Sequence, residues 1–146
     1  MILLQKVILS FYFLILENKD SMKVTAQFDS GKMKHVLQTG VHKVYSDVSL
    51  SEGGEDQGPS PHDLIAMSLA SCTGMTLKLY SQKKGWPLEN TIVTIEIVKT
   101  AEKTVFNRQL EFIGSLDESQ KKRLIDIANH CPIHKVLSGK IEIVTT

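Results

Sequence analysis

Apolar and polar residues alternate along the first part of the chain in the pattern of a small sheet. Apolar side chains at every second position over 24–28 predict a half-buried strand. The turn sequence at 29–31 predicts a hairpin with a second strand over 33–39, and residues 41–45 extend the sheet. Residues 51–60 are rich in glycine and acidic side chains and predict a loop. Their glycine spacing is wrong for a phosphate-binding motif and no Lys-Ser/Thr pair follows, so a flexible loop is favoured over a phosphate loop.

A long helix is predicted over 61–84. Ser60 is its expected N-cap, a proline occupies the first helical position, and Asp63 completes an S-x-x-D capping pattern. Gly85 suits the left-handed residue that ends a helix. Residues 64–75 carry no charge, so we expect this helix to be buried nearly all round. Small residues in its middle allow a second helix to approach closely.

The second half of the chain returns to strands and then to two helices. Strands are predicted over 91–99 and 104–113, a helix from Asp117 to about His130, a short helix from Pro132 to Gly139, and a closing strand over 141–144. Strands, a long helix, strands, helices and a strand, in that order, predict an α+β domain.

Chain length and apolar content suit one globular domain. The 146 residues are 42% apolar, and we predict a single domain over residues 22–146 that begins at Met22. We interpret residues 1–21 as an N-terminal extension outside the core. The apolar run within it, residues 7–16, is shorter than the roughly 20 residues that cross a bilayer, and its flanks are unlike those of a signal peptide. We therefore predict no membrane partner.

Charge and cysteine content narrow the function classes further. The 17 basic and 16 acidic residues are scattered without long runs, which gives no electrostatic footprint for nucleic acid. Two cysteines are too few for a disulfide-stapled secreted scaffold. We therefore predict a cytoplasmic location, in whose reducing environment such a pair serves either packing or redox chemistry.

Each cysteine has a structural and a chemical interpretation. Cys72 lies in the middle of the uncharged helix, either as a small buried hydrophobe or as a reactive thiol whose pKa neighbouring side chains must lower. Cys131 directly precedes Pro132 and is the predicted N-cap of the short helix, where backbone N–H groups favour a thiolate. The alternative for Cys131 is a polar cap that happens to be sulfur. The two cysteines form no C-x-x-C motif.

Three residues close in sequence could ligate zinc, namely His130, Cys131 and His134, and Cys72 could add a fourth ligand. The usual C-x-x-C partner is missing and a proline interrupts the cluster, so we predict no metal. We interpret His134 as an exposed helix residue or a hydrogen-bond partner for Cys131.

Arg108 is the most informative arginine, because it shares one face of its predicted strand with apolar side chains. It either extends to the edge of the sheet or is held for a buried anion such as a thiolate. His62 lies in the first turn of the long helix and is expected to face solvent. Asp63 is expected to cap that helix and is also a candidate for a second role toward an active site.

Two segments together resemble the OsmC/Ohr family: GGEDQGPSPHDLIAMSLASCTGMTLKLYSQKKGWPLE and ANHCPIHKVL. They hold, in the family's order, a Gly-Pro-Ser-Pro loop, a long helix with one cysteine, and a helix that ends in a second cysteine followed by proline. The resemblance runs from about Met22 to Thr146. It is greatest to the OsmC-like branch with Lys-Gly-Trp-Pro after the central helix, here residues 84–87.

The resemblance implies an OsmC-like fold, with strands wrapped around a long buried central helix, and an intertwined homodimer. It also implies a cysteine-based peroxidase of the oxidative stress response. Cys72 would attack an organic hydroperoxide or hydrogen peroxide, Cys131 would resolve the sulfenic acid as a disulfide, and an external dithiol would reduce that disulfide. No cofactor is required.

The resemblance also suggests supporting residues. The family often has an acid where His62 stands and another at Asp63. It has an arginine from the N-terminal strand region, whereas this chain has none before Arg108, so Arg108 or a histidine such as His134 would supply the cation.

The spacing along the long helix is consistent with a dimer. His62 and Cys72 lie about 15 Å apart along one helix, so they cannot touch within one chain. Two antiparallel copies that cross near Met67 would bring the first turn of one helix to Cys72 of the other.

Two further functions stay open. One is an OsmC-like protein that binds small molecules or senses redox state without efficient peroxidase turnover. The other is an interaction or structural protein whose cysteines are incidental.

Overall fold

The computed structural model describes residues 22–146; the predicted extension, residues 1–21, lies outside the described residues. The chain forms two compact units, one ending at Ile65 and one from Ala66 to Thr146. Helices and antiparallel strands occur together, which confirms the predicted α+β class. The single domain over residues 22–146 stays a prediction.

The first unit contains a three-stranded antiparallel sheet in the order of the sequence. Its strands are β1 (Thr25–Ser30), β2 (Lys34–Thr39) and β3 (His42–Ser46), and a single 3-10 turn follows at Leu50–Glu52. The sequence pattern over 24–45 therefore predicted both the hairpin and its third strand correctly. The predicted half-burial of β1 is wrong for a single chain, because every residue of that strand is exposed.

A buried carboxylate organises the loop after β3. Asp47 is only 2% exposed, and its side chain accepts backbone N–H groups from Val48 at 2.8 Å, Glu55 at 3.1 Å and Gln57 at 3.2 Å. Three N–H donors satisfy a carboxylate taken out of water. The predicted loop over 51–60 is thus confirmed, and one side chain bonds two backbone N–H groups within it.

The long helix α1 (Pro61–Lys84) begins and ends as predicted. The backbone N–H and Oγ of Ser60 donate to Asp63 Oδ2 at 2.8 and 2.6 Å, and the Asp63 N–H donates to Ser60 Oγ at 3.2 Å. This reciprocal pair satisfies N–H groups that the first helical turn leaves unbonded. Gly85, with φ +65°, follows the last helical residue.

Only one face of α1 is buried within the single chain. Leu69, Thr73 and Leu77 lie on that face, whereas Met67 is 55% exposed and Met75 is 68% exposed. The expectation of burial nearly all round is therefore wrong for a single chain. No helix within residues 22–146, α1 included, is apolar enough over a bilayer's length to cross a membrane.

The second unit contains a long hairpin and two further helices. Strands β4 (Leu88–Lys99) and β5 (Thr104–Gly114) pair antiparallel over nearly their whole length. The helices are α2 (Glu118–Ala128), which Asp117 caps as predicted, and α3 (Pro132–Ser138).

Two contacts show how α1 packs in this unit. Gly74 faces β4, where a Cβ would lie 4.0 Å from Val93 Cγ2. On another side, Arg123 Nε of α2 donates to Tyr80 Oη at 3.3 Å. The core of the unit is completed by the most buried apolar residues of α1, α2 and the turn before α3: Leu69, Leu77, Leu124, Ile127, Ala128 and Cys131.

The predicted closing strand over 141–144 is wrong. These residues form no strand, and Ile141, Ile143 and Val144 are 59%, 88% and 74% exposed. Alternating β-branched residues favour an extended chain, but a strand also needs a neighbouring backbone edge for its hydrogen bonds. Within residues 22–146 of one chain, nothing pairs with this segment.

Gly114 is predicted to tolerate no side chain. Its φ is +136°, and a Cβ would overlap the carbonyl oxygen of Pro87. Gly40 is a matched control, because its φ is also positive, at +54°, but no atom lies within 4 Å of its Cβ position. We expect Gly40→Ala to cost about 1 kcal/mol of unfolding free energy, and Gly114→Ala more than about 3 kcal/mol. Urea denaturation followed by circular dichroism measures both, and equal losses would contradict this packing.

Candidate active site

Cys131 occupies the N-cap of α3, as predicted. The residue is 0% exposed. Its Sγ accepts the backbone N–H of His134 at 3.3 Å, and the Thr73 hydroxyl oxygen lies 3.7 Å away. The sulfur therefore lies between α1 and the first turn of α3, and donors approach it from both sides.

Cys72 lies on α1, is half-buried and faces Cys131. Burial is the main cause that raises the pKa of Cys72, and the charge of an ionised Cys131, together with the hydrogen bond between the thiols, raises it further. The Ile133 backbone N–H and the Thr76 hydroxyl act in the opposite direction, because they donate to the sulfur. The structure thus brings together two thiols that lie on different helices.

Arg108 extends from β5 into the same region. Its Nη1 donates to Thr73 Oγ1 at 3.1 Å and to the Ala128 carbonyl at 3.0 Å, and its Nη2 donates to Asn129 Oδ1 at 2.8 Å. Burial lowers the pKa of Arg108, and the charge of an ionised Cys131 opposes that change. Arg108 is half-buried, and its three hydrogen bonds hold the guanidinium near Cys131, a group that can become an anion.

The Arg108 cation interacts more with the sulfur of Cys131 than with that of Cys72. The charge that acts on Arg108 is that of Cys131, whereas the main influences on the pKa of Cys72 among residues 22–146 include no cation. In the single chain, Arg108 is therefore electrostatically coupled to Cys131, while burial and the neighbouring sulfur disfavour a thiolate at Cys72.

His134 is half-buried, and only its backbone contacts the sulfur of Cys131. This agrees with the hydrogen-bond partner that the sequence suggested, while the exposed position is not observed. Burial first, then the charges of Arg108 and His130, lower the pKa of His134, so its ring is neutral near pH 7. Among the described residues, no three His, Cys, Asp or Glu side chains are placed to hold a metal ion.

A cavity of about 540 Å³ opens beside this cluster. Most of its wall is apolar and comes from β5, α2 and α3. Arg108, Asn129 and His134 supply polar groups to it, together with Thr104 and Ser138. Such a cavity suits a partly apolar small molecule with one polar end.

Asp63 and His62 lie in the first turn of α1, in the first unit. Hydrogen bonds from the Ser60 hydroxyl, then from its backbone, hold the pKa of Asp63 below its usual value, as expected for a capping carboxylate. His62 is exposed, as expected. Their approach to Cys72 of a second copy stays a prediction.

Sequence reasoning did not single out two residues of the cluster, Thr73 and Asn129. Thr73 carried a usable signal, because it stands between Leu69 and Leu77 at four-residue spacing, and a hydroxyl on a buried helical face needs a specific partner. Asn129 had no such signal. It follows the last residue of α2, and only the fold brings it to Arg108.

Comparison with known proteins identifies what this arrangement resembles. Residues 53–146 match the OsmC family model, described as OsmC-like protein. A search of curated proteins found no match.

Solved structures of similar fold include a candidate osmotic stress induced and detoxification response protein from Psychrobacter arcticus. It shares 20% identity over 83% of this chain and 91% of its own, with a TM-score of 0.69. An OsmC-like protein from Mycoplasma pneumoniae shares 17% identity over 83% of this chain and 89% of its own, with a TM-score of 0.69. The organic hydroperoxide resistance protein OhrB of Bacillus subtilis shares 20% identity over 82% of this chain and 91% of its own, with a TM-score of 0.58.

The proximity of the thiols leads to a prediction about Cys72. In a Cys131→Ser protein the second sulfur charge is gone, so the pKa of Cys72 should fall relative to wild type while remaining above that of an exposed cysteine, because burial persists. The pH dependence of Cys72 alkylation, followed by mass spectrometry, measures it. Identical profiles in the two proteins would show that the thiols do not interact.

Proposed function

This chain belongs to the OsmC-like protein family, and we propose that it is a cytoplasmic thiol peroxidase that reduces organic hydroperoxides or hydrogen peroxide. The observation that carries the proposal is the contact between Cys72 and Cys131. The two thiols come from different helices, so the fold, and not a local motif, holds together a pair able to form a disulfide.

The proposed cycle has three steps. The Cys72 thiolate attacks the outer peroxide oxygen, so an S–O bond forms and the O–O bond breaks. The alkoxide or hydroxide that leaves takes up the proton that the Cys72 thiol lost and departs as an alcohol or water. Cys131 then attacks the sulfur of the Cys72 sulfenic acid, which releases water and forms a disulfide. An external dithiol supplies two electrons and restores both thiols. The apolar walls of the neighbouring cavity favour organic hydroperoxides as substrates.

One observation favours a second function on the same site. The pKa of Cys72 is raised, and the nearby guanidinium lies by Cys131 instead. A small thiolate fraction at neutral pH slows the first step. A redox-sensing or small-molecule-binding protein, oxidised once and turned over slowly, therefore remains the alternative.

A homodimer is the assembly that best fits the exposed face of α1. Met67 and Met75 lie two helical turns apart on that face, with the small Ser71 between them, and all three are exposed. A helix with small and flexible apolar residues on one side suits close packing against a second copy of itself. The exposed apolar C-terminal segment adds a second surface that one chain leaves uncovered.

Peroxide consumption tests the enzyme directly. With excess dithiothreitol, the wild type should consume cumene hydroperoxide over many turnovers, and Cys72→Ser should reduce the rate by at least about 100-fold, since the nucleophile is gone. Cys131→Ser should still consume the first equivalent, because it retains Cys72. Circular dichroism checks that both variants fold.

The outcomes separate the two functions. Wild-type protein with two titratable thiols but no sustained turnover would favour the sensing alternative. A Cys72→Ser protein as active as wild type would rule out Cys72 as the nucleophile.

Sedimentation tests the dimer. We expect wild type to sediment as a dimer and Met67→Glu/Met75→Glu to dissociate at least about tenfold more readily, because a charge buried between apolar helices is costly. Val41→Glu is the control, since Val41 is 91% exposed in the turn between β2 and β3. A wild-type protein that stays monomeric at high concentration would contradict the assembly.

A further inference from the structure

A threonine hydroxyl connects the half-buried cation of Arg108 to one of the two sulfurs. Thr73 is 0% exposed, and its Oγ1 lies 3.1 Å from Arg108 Nη1 and 3.7 Å from Cys131 Sγ. The Leu69 carbonyl is also within reach, at 2.7 Å. A guanidinium, a sulfur and a backbone carbonyl thus surround one hydroxyl that is buried from solvent in the single chain.

The hydrogen-bonding capacity of this hydroxyl permits two states. A hydroxyl has one proton to donate and can accept at the same time, so Thr73 accepts from Arg108 in either state. Its single proton is directed either to the Leu69 carbonyl or to the sulfur of Cys131. The shorter distance to the carbonyl favours the first state while Cys131 is a neutral thiol, and a thiolate, as the stronger acceptor, favours the second.

We propose that Thr73 is a positioning residue for the resolving step: its hydroxyl, held at the oxygen by Arg108, turns its proton to Cys131 when that sulfur ionises and so presents Cys131 as a thiolate to oxidised Cys72. The inference rests on the proposed peroxidase cycle. It also moves the role of Arg108 from the first step of that cycle to the second.

The step balances with the groups already present. The Cys131 thiolate attacks the sulfur of the Cys72 sulfenic acid, the S–S bond forms, and the S–O bond breaks. The hydroxide that leaves takes up the proton that Cys131 lost, and the products are one disulfide and one water. A hydrogen bond to the thiolate makes it less nucleophilic but more abundant. Because nucleophilicity depends only partly on basicity, the greater abundance prevails at neutral pH.

A neighbouring threonine provides a comparison within the same helix. Thr76 donates to the Cys72 carbonyl at 2.8 Å, and its hydroxyl also contacts the Cys72 sulfur. The two hydroxyls therefore serve different sulfurs from positions one helical turn apart. Loss of the Thr76 hydroxyl should affect the first step, and loss of the Thr73 hydroxyl the second.

The kinetic test uses Thr73→Val, which keeps the side-chain shape and removes the hydroxyl, and Thr73→Ser, which keeps the hydroxyl. One equivalent of cumene hydroperoxide is added to each reduced protein, and dimedone traps the sulfenic acid at successive times. We expect the Cys72 sulfenic acid to last about threefold longer in Thr73→Val, because the roughly tenfold loss of thiolate that follows the loss of one hydrogen bond to a charged group is partly offset by the greater nucleophilicity of the thiolate that remains. The rate of peroxide consumption should change less than about twofold, and Thr73→Ser should resolve like wild type. Thr76→Val should instead change the rate of peroxide consumption and leave the sulfenic acid lifetime close to that of wild type.

A second measurement needs no peroxide. In a Cys72→Ser background, thiolate absorbance at 240 nm reports Cys131 alone, even while it is buried. Thr73→Val should show a thiolate-to-thiol ratio about tenfold smaller at a given pH than Thr73→Ser. Circular dichroism and urea denaturation confirm that the compared proteins are folded.

The results distinguish the inference from the function on which it rests. Equal sulfenic acid lifetimes and equal thiolate absorbance in Thr73→Val and Thr73→Ser would overturn the role of Thr73, even in an active peroxidase. A wild type that consumes no peroxide would remove the peroxidase, while the absorbance comparison would still decide whether Thr73 stabilises the Cys131 thiolate.

Discussion

A half-buried guanidinium needs acceptors for the N–H groups that face away from water, and that requirement helps to organise the second unit. Arg108 obtains them from three other parts of the chain: the hydroxyl of Thr73 on α1, the carbonyl of Ala128 at the end of α2, and the side chain of Asn129 just beyond it. Without these acceptors, the N–H groups that face away from water would lose their hydration with nothing to replace it. The hairpin, the long helix and the turn that carries Cys131 are therefore held at one point by a single side chain.

The same arrangement divides the electrostatics between two sulfurs. Burial lowers the pKa of Arg108 and raises that of Cys72, because both charged forms lose their hydration. The sulfur of Cys131, by contrast, has a backbone N–H, a hydroxyl and a cation near it. The two sulfurs therefore have different surroundings, which is consistent with the different roles that the proposed redox cycle gives them.

Two apolar segments that are exposed in the single chain have a common physical explanation. The uncharged side of α1 and the alternating residues near the C-terminus carry the patterns of buried elements, yet both are exposed in the single chain. Apolar patterning records what an element is adapted to contact, and the contacting surface can belong to another molecule. The homodimer proposed above would supply that surface for α1.

Local rules determined much of this protein from its sequence. The ends of α1 follow from Ser60, Asp63 and Gly85, and the N-cap role of Cys131 follows from Pro132, because capping depends on residues within one turn. Strand alternation placed Arg108 on an inward face for the same reason. Asn129 as an arginine partner, the proximity of Cys72 to Cys131 and the burial of Asp47 were decided only by the tertiary structure, since each depends on residues distant in sequence meeting in space. The strand predicted over 141–144 is absent for a related reason. Its alternating pattern is local, but a strand also needs hydrogen bonds to a neighbouring strand edge, which local sequence does not specify.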